Sequence, residues 1–555
     1  MTVAPGLSRL FLDYCSGGAA ERDSLRPFYA SLPPDPGWAA AAGLPLPAHW
    51  PELVRLLAAQ NPSEAAAPAL AALAQGAGVV VTGQQVGLFG GPLFTPFKAA
   101  TALARAREAT ASYAARHSRL SPTALARTRQ ATAAGHAHAA IFWLATEDHD
   151  FAEINHVTFP AKRELRKLVY ASGPEAAKPV GGLVLGDGIT PLVDQAWELL
   201  GSSDAMEALA AAYQPGRTWA QAFADFYSKV FAAQGLLILD AGSRPFHRIG
   251  APVLRAALEQ ADELHAALLD RNRQLQAAGY HAQVAVVAQS SLLFLIDDAS
   301  GARLALKRTL PTAAEPGGLW QAGRRSFSTD ELLGILDAEP ERISPSALLR
   351  PVFQDFLLST SATVGGPAEI AYFAQSAVLF ERILGRVTPA LPRFSGTLIE
   401  PAIGELLRKH ELTLERVFAE SPASLAQLLA SRQMPVEGKR KLAAAGTALE
   451  VELEALLEWT RPLDAGLARS AQTAASKMRY QMNRLRTLAA NFQLSRETSL
   501  SRQAEAISQA LYPGGGLQER LHGAAYYFAR YGFDLAEELT AEAANTCPGH
   551  TAIWL

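Results

Sequence analysis

Cysteine is nearly absent from the chain: Cys15 and Cys547 are the only two among 555 residues, one near each end. That excludes a disulfide framework or a cysteine-rich zinc site within one chain and fits a reducing compartment. An excess of charge of either sign is missing too. The 50 basic and 53 acidic side chains leave a formal charge of −3, so no overall basic field exists to hold a nucleic-acid backbone or an anionic membrane. A local basic pocket stays open. No stretch approaches the roughly 18 consecutive apolar residues that span a bilayer. The opening MTVAPGLSRLFLDYC lacks the basic start and apolar run of a secretory signal. These absences predict a cytoplasmic protein without nucleic-acid or membrane partners.

What is present is the composition of a globular chain, 49% apolar and 19% charged, long enough for roughly two to four structural units. The run Gly78 to Thr82 reads as a strand, followed by a glycine-rich turn and a helix over Phe97 to Glu108. Ala139 to Ala145 is a second buried strand ending in polar residues, and Gly235 to Asp240 and Ala282 to Val287 are further candidates. Leu292 to Ile296 and Arg303 to Leu306 suggest an antiparallel hairpin, while Trp219 to Ala233 and Pro252 to Ala278 read as helices. Strands alternating with helices predict a doubly wound, mostly parallel α/β core. Beyond about residue 400 the strand signal ends, and Leu442, Leu449, Leu456 and Leu463 recur every seven residues, with Pro462 dividing a helical arm. Such leucines can close a helical hairpin or a dimer.

Three segments carry groups suited to chemistry. The first, Thr82-Gly83-Gln84-Gln85-Val86-Gly87-Leu88-Phe89-Gly90-Gly91-Pro92, joins strand to helix and suits a phosphate or carboxylate, although it lacks GK[ST] and G-x-G-x-x-G. A tight turn is the alternative. The second, Glu147-Asp148-His149-Asp150-Phe151-Ala152-Glu153-Ile154-Asn155-His156, follows a buried strand, where open α/β sheets place ligands. Its carboxylates and imidazoles could hold Mg²⁺, orient a base or deprotonate an amine, but they do not match H-E-x-x-H, and a solvated acidic loop is the plainer reading. The third pairs Arg350 and Gln354 with Gly365-Gly366-Pro367-Ala368-Glu369-Ile370-Ala371-Tyr372, a second Gly-Gly-Pro helix start. Arg350 suits a ligand anion or an internal ion pair.

Taken in order, VVVTGQQVGLFGGPLFTPFKA, FWLATEDHDFAEINHV, ISPSALLRPVFQ with VGGPAEIAYFAQ, and Leu517-Gln518-Glu519-Arg520 resemble the BshC family, cysteine ligases of bacillithiol biosynthesis. The resemblance covers nearly the whole chain. It implies a Rossmann-like core with inserted connecting segments over residues 1–395, a coiled-coil arm over 396–505 that supports a homodimer, and a segment over 506–555 returning to the core. The implied core looks like that of nucleotide-binding ligases and class I aminoacyl-tRNA synthetases, although no clear HIGH or KMSKS pair is present. It also implies addition of cysteine to glucosaminyl-malate. An unactivated carboxylate is a poor electrophile, so ATP, with Mg²⁺, is the expected activating cofactor. On this reading Gly83, Gln84, Gln85, Gly87, Gly90 and Gly91 cradle phosphate or substrate with Lys98 as charge partner. Asp148, His149 and Asp150 are the catalytic candidates. Asn155, His156, Arg350, Gln354, Gly365, Gly366, Glu369 and Tyr372 complete the binding set. A nucleotide-binding scaffold of the pathway and a nucleotidyltransferase on another small molecule are the alternatives.

Overall fold

The computed structural model describes all residues except 1–4, 34–37, 40–45, 118–136, 162–163, 172, 174–176, 310–317, 497 and 546–548. Cys547 lies outside the described residues. Cys15 is a free thiol that burial pushes up to about 12.

Five strands form the central sheet: β1 (Gly78–Gln84), β2 (His138–Leu144), β3 (Leu237–Leu239), β4 (Thr360–Gly365) and β5 (Ala390–Pro392). Their order is β5-β4-β1-β2-β3 and every pairing is parallel. Both faces are covered, which is why the strands read as unbroken apolar runs. Val80, Ala140, Phe142, Ile238 and Val364 join one core, while Val79, Val81, Ile141, Trp143 and Leu237 join the other. The order reverses between β1 and β4, creating the crevice where doubly wound sheets bind ligands.

Around this sheet lie α1 (Phe94–His117), α2 (Arg244–Glu259), α3 (Arg350–Leu358) and α4 (Pro367–Leu384). Two insertions interrupt the alternation: a hairpin of His156–Pro160 with Leu165–Val169, and an antiparallel five-stranded sheet containing Ser290–Ile296 and Arg303–Arg308. Ala282 to Val287 is not a strand. The Gln375 side chain takes both backbone groups of Val284, at 2.9 Å each, in place of a neighbouring strand. Nor does Pro252 start a helix: it lies inside α2, and a separate helix runs Ala261–Ala277.

The arm comprises α5 (Val436–Thr460), α6 (Ala465–Arg496) and α7 (Thr498–Leu511). Helices α5 and α6 fold into a hairpin across Pro462, tied by Arg479 and Glu450 at 2.8 Å. Gly446, Leu453 and Thr460 of α5 and Ala475 and Ala490 of α6 are its buried residues. Of the heptad leucines, Leu442 and Leu449 are half-buried, whereas Leu456 and Leu463 are exposed at 53% and 55%. At Gly446 the missing side chain leaves room for the guanidinium of Arg486 from α6. Among the described residues, no helix is long and apolar enough to cross a membrane.

The C-terminal segment returns to the core, where His550–Trp554 pairs in parallel with Ser395–Ile399. His522 is fully buried there, its ring nitrogens 2.9 Å from Tyr527 Oη and 3.0 Å from Gln509 O. Burial lowers its pKa from 6.5 to about 4. The unfolded chain therefore takes up a proton first as pH falls, and stability present above pH 6.5 is lost toward pH 4. Between pH 7 and pH 5 this residue should account for about 2 kcal/mol of lost stability. Urea unfolding at the two pH values should show that much less acid sensitivity in His522→Gln than in the parent chain.

Candidate active site

The register of β1 against β2 pairs Gly83 with Trp143 and Gln84 with Leu144, and Ala145 N donates to Gln84 O at 3.0 Å. Gly83 and Gln84 are thus strand residues, not loop residues. A side chain at Gly83 would meet Trp143 O at 2.7 Å, so the close approach of the two strand tips requires glycine there. Beside them β4 ends at Gly365, and α4 starts immediately after Gly366. The result is a cleft of ≈ 340 Å³ at the strand-order reversal. Gly83, Gln84, Gln85, Lys98, Asp148, Arg350, Gly366, Glu369 and Tyr372 line it. Segments separated by hundreds of residues meet here because parallel strands bring their C-terminal tips to one edge.

The polar groups form two connected sets. Lys98 Nζ, buried, donates to Gly83 O at 2.8 Å and Gln84 Oε1 at 2.9 Å and is ion-paired with Glu369. These three partners use all its donors, so it holds the cleft's walls together instead of offering a free charge. Burial pulls the Lys98 ammonium down despite Glu369. Burial would raise Glu369, but Lys98 and Arg350 hold its carboxyl below the usual range. Glu369 also accepts from Gly366 N at 2.8 Å, closing the start of α4. Arg350 donates to Tyr372 Oη at 2.7 Å and Gln354 Oε1 at 3.0 Å, which fixes its planar fork and leaves further donors for a ligand. Gln354 is itself buried and acts through Arg350.

In the second set, Gln85 Nε2 donates to Asp148 Oδ2 at 2.6 Å and Glu153 Oε2 at 2.8 Å. Asp148 Oδ1 accepts from His149 N at 2.7 Å. Of the three catalytic candidates, the cleft takes in Asp148 alone. His149 turns toward the inserted sheet, its Nδ1 3.4 Å from Arg303 and its ring 5.9 Å from Phe294. Asp150 caps the short helix Phe151–Ile154 by accepting from Glu153 N at 3.3 Å.

Several other expected binding residues also lie outside the lining. Gly90 and Gly91 adopt φ of +84° and +71° to turn the chain, and their amides bond to Tyr213 Oη and Leu88 O. Gly87 N bonds to Gln85 O. The start of α1 is covered by the C-terminal segment, with Leu93 N donating to His522 O at 2.8 Å. These glycines therefore shape a turn and offer no anion cradle. Asn155 and His156 bond to each other at 3.3 Å at the start of the inserted hairpin, and the Gly365 carbonyl accepts from Arg393 N at 2.8 Å.

Two lining cations were not anticipated. Arg393 is buried beside the cleft and bonds Glu519 Oε1 and Oε2 at 2.5 and 3.1 Å. Arg520, next after Glu519, is exposed in the cleft, and its side chain has no hydrogen-bond or ion-pair partner among the described residues. The LQER stretch was the available signal for Arg520; nothing local marks Arg393. With Lys98 and Arg350 they make four cations against Asp148, Glu153 and Glu369, a local basic pocket in an acidic chain. Among the described residues no group of three His, Cys, Asp or Glu side chains could hold a metal ion.

Comparison with known proteins agrees with this architecture. The model described as "Bacillithiol biosynthesis BshC, N-terminal Rossmann-like domain" matches residues 5–118 and 119–394, and the one described as "Bacillithiol biosynthesis BshC, C-terminal coiled-coil domain" matches 396–555. A protein of Koribacter versatilis (strain Ellin345) named "Putative cysteine ligase BshC" is 40% identical over 560 residues, covering 100% of this chain and 98% of its own length. Proteins of the same name from Solibacter usitatus (strain Ellin6076) and Salinibacter ruber (strain DSM 13855 / M31) are 33% and 31% identical, over 92% and 83% of this chain and 91% and 80% of theirs. With a Rossmann-like core, a coiled-coil domain and full-length similarity, the chain belongs to the BshC family of bacillithiol biosynthesis.

Proposed function

We propose that the protein is a ligase joining the carboxyl group of cysteine to the amine of glucosaminyl-malate, yielding bacillithiol. The observation that carries this reading is the cleft itself, which is lined by Asp148, by Arg350 and by Arg520, whose side chain has no partner among the described residues. Two guanidinium groups with free donors suit the paired carboxylates of a malate. On this reading Asp148 accepts the proton that the attacking nitrogen sheds as the amide bond forms. Gln85 orients that carboxylate and ties it to Glu153. ATP would supply the phosphoryl or adenylyl group that makes the cysteine carboxyl oxygen a leaving group, with Arg350 and Arg520 also suited to its phosphates. The donor set does not fit a protein-held Mg²⁺, and no step is assigned to one.

The reading is tested by Arg520→Ala, which removes a cation that holds nothing else in place. KM for glucosaminyl-malate should rise about ten-fold or more, the scale of a lost charge-assisted hydrogen bond, with kcat nearly unchanged. An unchanged KM would remove Arg520 from the substrate site.

The exposed heptad leucines of the arm support a homodimer through the coiled coil. Leu456, Trp459 and Leu463 form an outward apolar seam near the Pro462 turn. Sedimentation should give a dimer for the parent chain and a monomer for Leu456→Glu/Leu463→Glu, with helix content retained; a parent chain that stays monomeric across concentration removes the dimer.

A further inference from the structure

Two consecutive amides stand at the tip of β1, and their partners turn them opposite ways. Gln84, the last residue of the strand, meets Lys98 of α1, and Gln85, the next, meets the segment that follows β2. Gln84 Oε1 accepts from Lys98 Nζ at 2.9 Å, whereas Gln85 Nε2 donates to Asp148 Oδ2 at 2.6 Å and Glu153 Oε2 at 2.8 Å. An ammonium can only donate and a carboxylate can only accept, so charge settles both orientations. Gln85 has spent both amide hydrogens. Gln84 has spent only its oxygen: the residue lines the cleft, and its two N–H donors have no partner among the described residues.

The polar groups around it are engaged. Lys98 is saturated, Arg393 is held by Glu519 and by Phe394 O, and Tyr372 Oη donates to Glu369 at 3.4 Å. Arg350 and Arg520 keep free donors, but their full charge attracts a carboxylate before reaction as well as during it, which favours binding over turnover. A neutral amide differs. It holds a neutral carbonyl oxygen weakly and an oxyanion strongly, which is the preference that speeds a reaction. Lys98 adds to this, since an ammonium on the amide oxygen draws charge through the group and makes its N–H bonds better donors. Because Lys98 is buried and fixed by Gly83 O and Glu369, the amide is oriented before any ligand arrives.

We infer that Gln84 is the oxyanion donor of the reaction, with Lys98 as its positioning residue. The inference rests on the ligase reading and deepens it. As the amine nitrogen adds to the carbonyl carbon of the activated cysteine, the C–N bond forms and the carbonyl π pair moves onto oxygen, where Gln84 Nε2 holds it. The pair then returns, the bond from carbon to the phosphate or adenylate oxygen breaks, that oxygen leaves with the bonding electrons, and the proton on nitrogen passes to Asp148.

The test pairs turnover with binding in Gln84→Met, which removes the amide without adding charge. Its kcat should fall about 10²–10³-fold, the usual effect of losing one such donor, with KM for glucosaminyl-malate within about three-fold of the parent. In calorimetric titration of the full chain, affinity for the phosphonate analogue of cysteine, whose tetrahedral anionic oxygens mimic the intermediate, should weaken about ten-fold or more, and affinity for glucosaminyl-malate should not change. Gln84→Glu keeps an acceptor for Lys98, lacks the donors and should lose turnover alike, so it serves if the first variant does not fold. Turnover close to the parent's in either folded variant, or affinity for both ligands lost together as the cleft wall gives way, overturns the assignment. A parent chain that forms no bacillithiol but binds the phosphonate through Gln84 upholds the donor and counts against the ligase reading; product from the parent with turnover kept in both variants does the reverse.

Discussion

Glu519→Ala is expected to destabilise the protein by about 3–5 kcal/mol, the cost of leaving one member of a buried ion pair without its partner. Arg393 and Glu519 are 3% and 1% exposed. Glu519 further accepts from Ser395 Oγ at 2.9 Å and Gly396 N at 3.1 Å, so its loss takes an acceptor from three residues at once. Burial alone would raise its pKa, but Arg393 holds the carboxyl below the usual range. The pair therefore stabilises the fold from neutral pH down to the usual carboxylate range, and its contribution disappears as acid protonates Glu519. Urea unfolding at pH 7 measures the loss. Arg393→Met/Glu519→Leu should recover part of it by replacing charge with packing, yet product formation should stay impaired because the C-terminal segment no longer sets a cation in the cleft. A Glu519→Ala variant within 1 kcal/mol of the parent would show that this segment does not hold the site together.

Asp148→Asn is expected to lower kcat by about 10²–10⁴-fold, the usual range for removing a positioned general base. The amide preserves shape and can still accept from His149 N, so folding should be unaffected, and the deficit should lie in turnover and not in KM. Asp150→Ala is the informative contrast. It removes only a helix cap, worth about 1 kcal/mol of stability, and should leave turnover within a few-fold of the parent. If the two variants behaved alike, Asp148 would lose its special role and the whole acidic segment would have to be reconsidered.

The parts of the fold that were legible in advance are those governed by local pattern. Buried parallel strands announce themselves as apolar runs, and the tips of β1, β2 and β4 carry the polar segments because strand ends face the crevice. Long-range pairing was not legible. Gln375 satisfies Val284 from 91 residues away and suppresses a strand that Ala282 to Val287 would otherwise suggest. Arg393 gains its place through Glu519, 126 residues on, and no local spacing encodes that. The leucine heptads were visible, but the residues of α5 that become buried are Gly446, Leu453 and Thr460, themselves seven apart, and which of two offset heptad positions turns inward is set by what packs against them, as Arg486 does on Gly446. Gly87, Gly90 and Gly91 looked like an anion cradle for the reason that they look like a turn: both need backbone freedom. The His522 segment covering α1 decides between them.

Amide formation in the cleft at the β1–β4 reversal, as proposed, is tested by following product and nucleotide together. Purified protein supplied with cysteine, glucosaminyl-malate, ATP and Mg²⁺ should form bacillithiol in step with nucleotide consumption, and both should collapse in Asp148→Asn. Nucleotide bound without turnover, or turnover that leaves both substrates unjoined, would contradict the account.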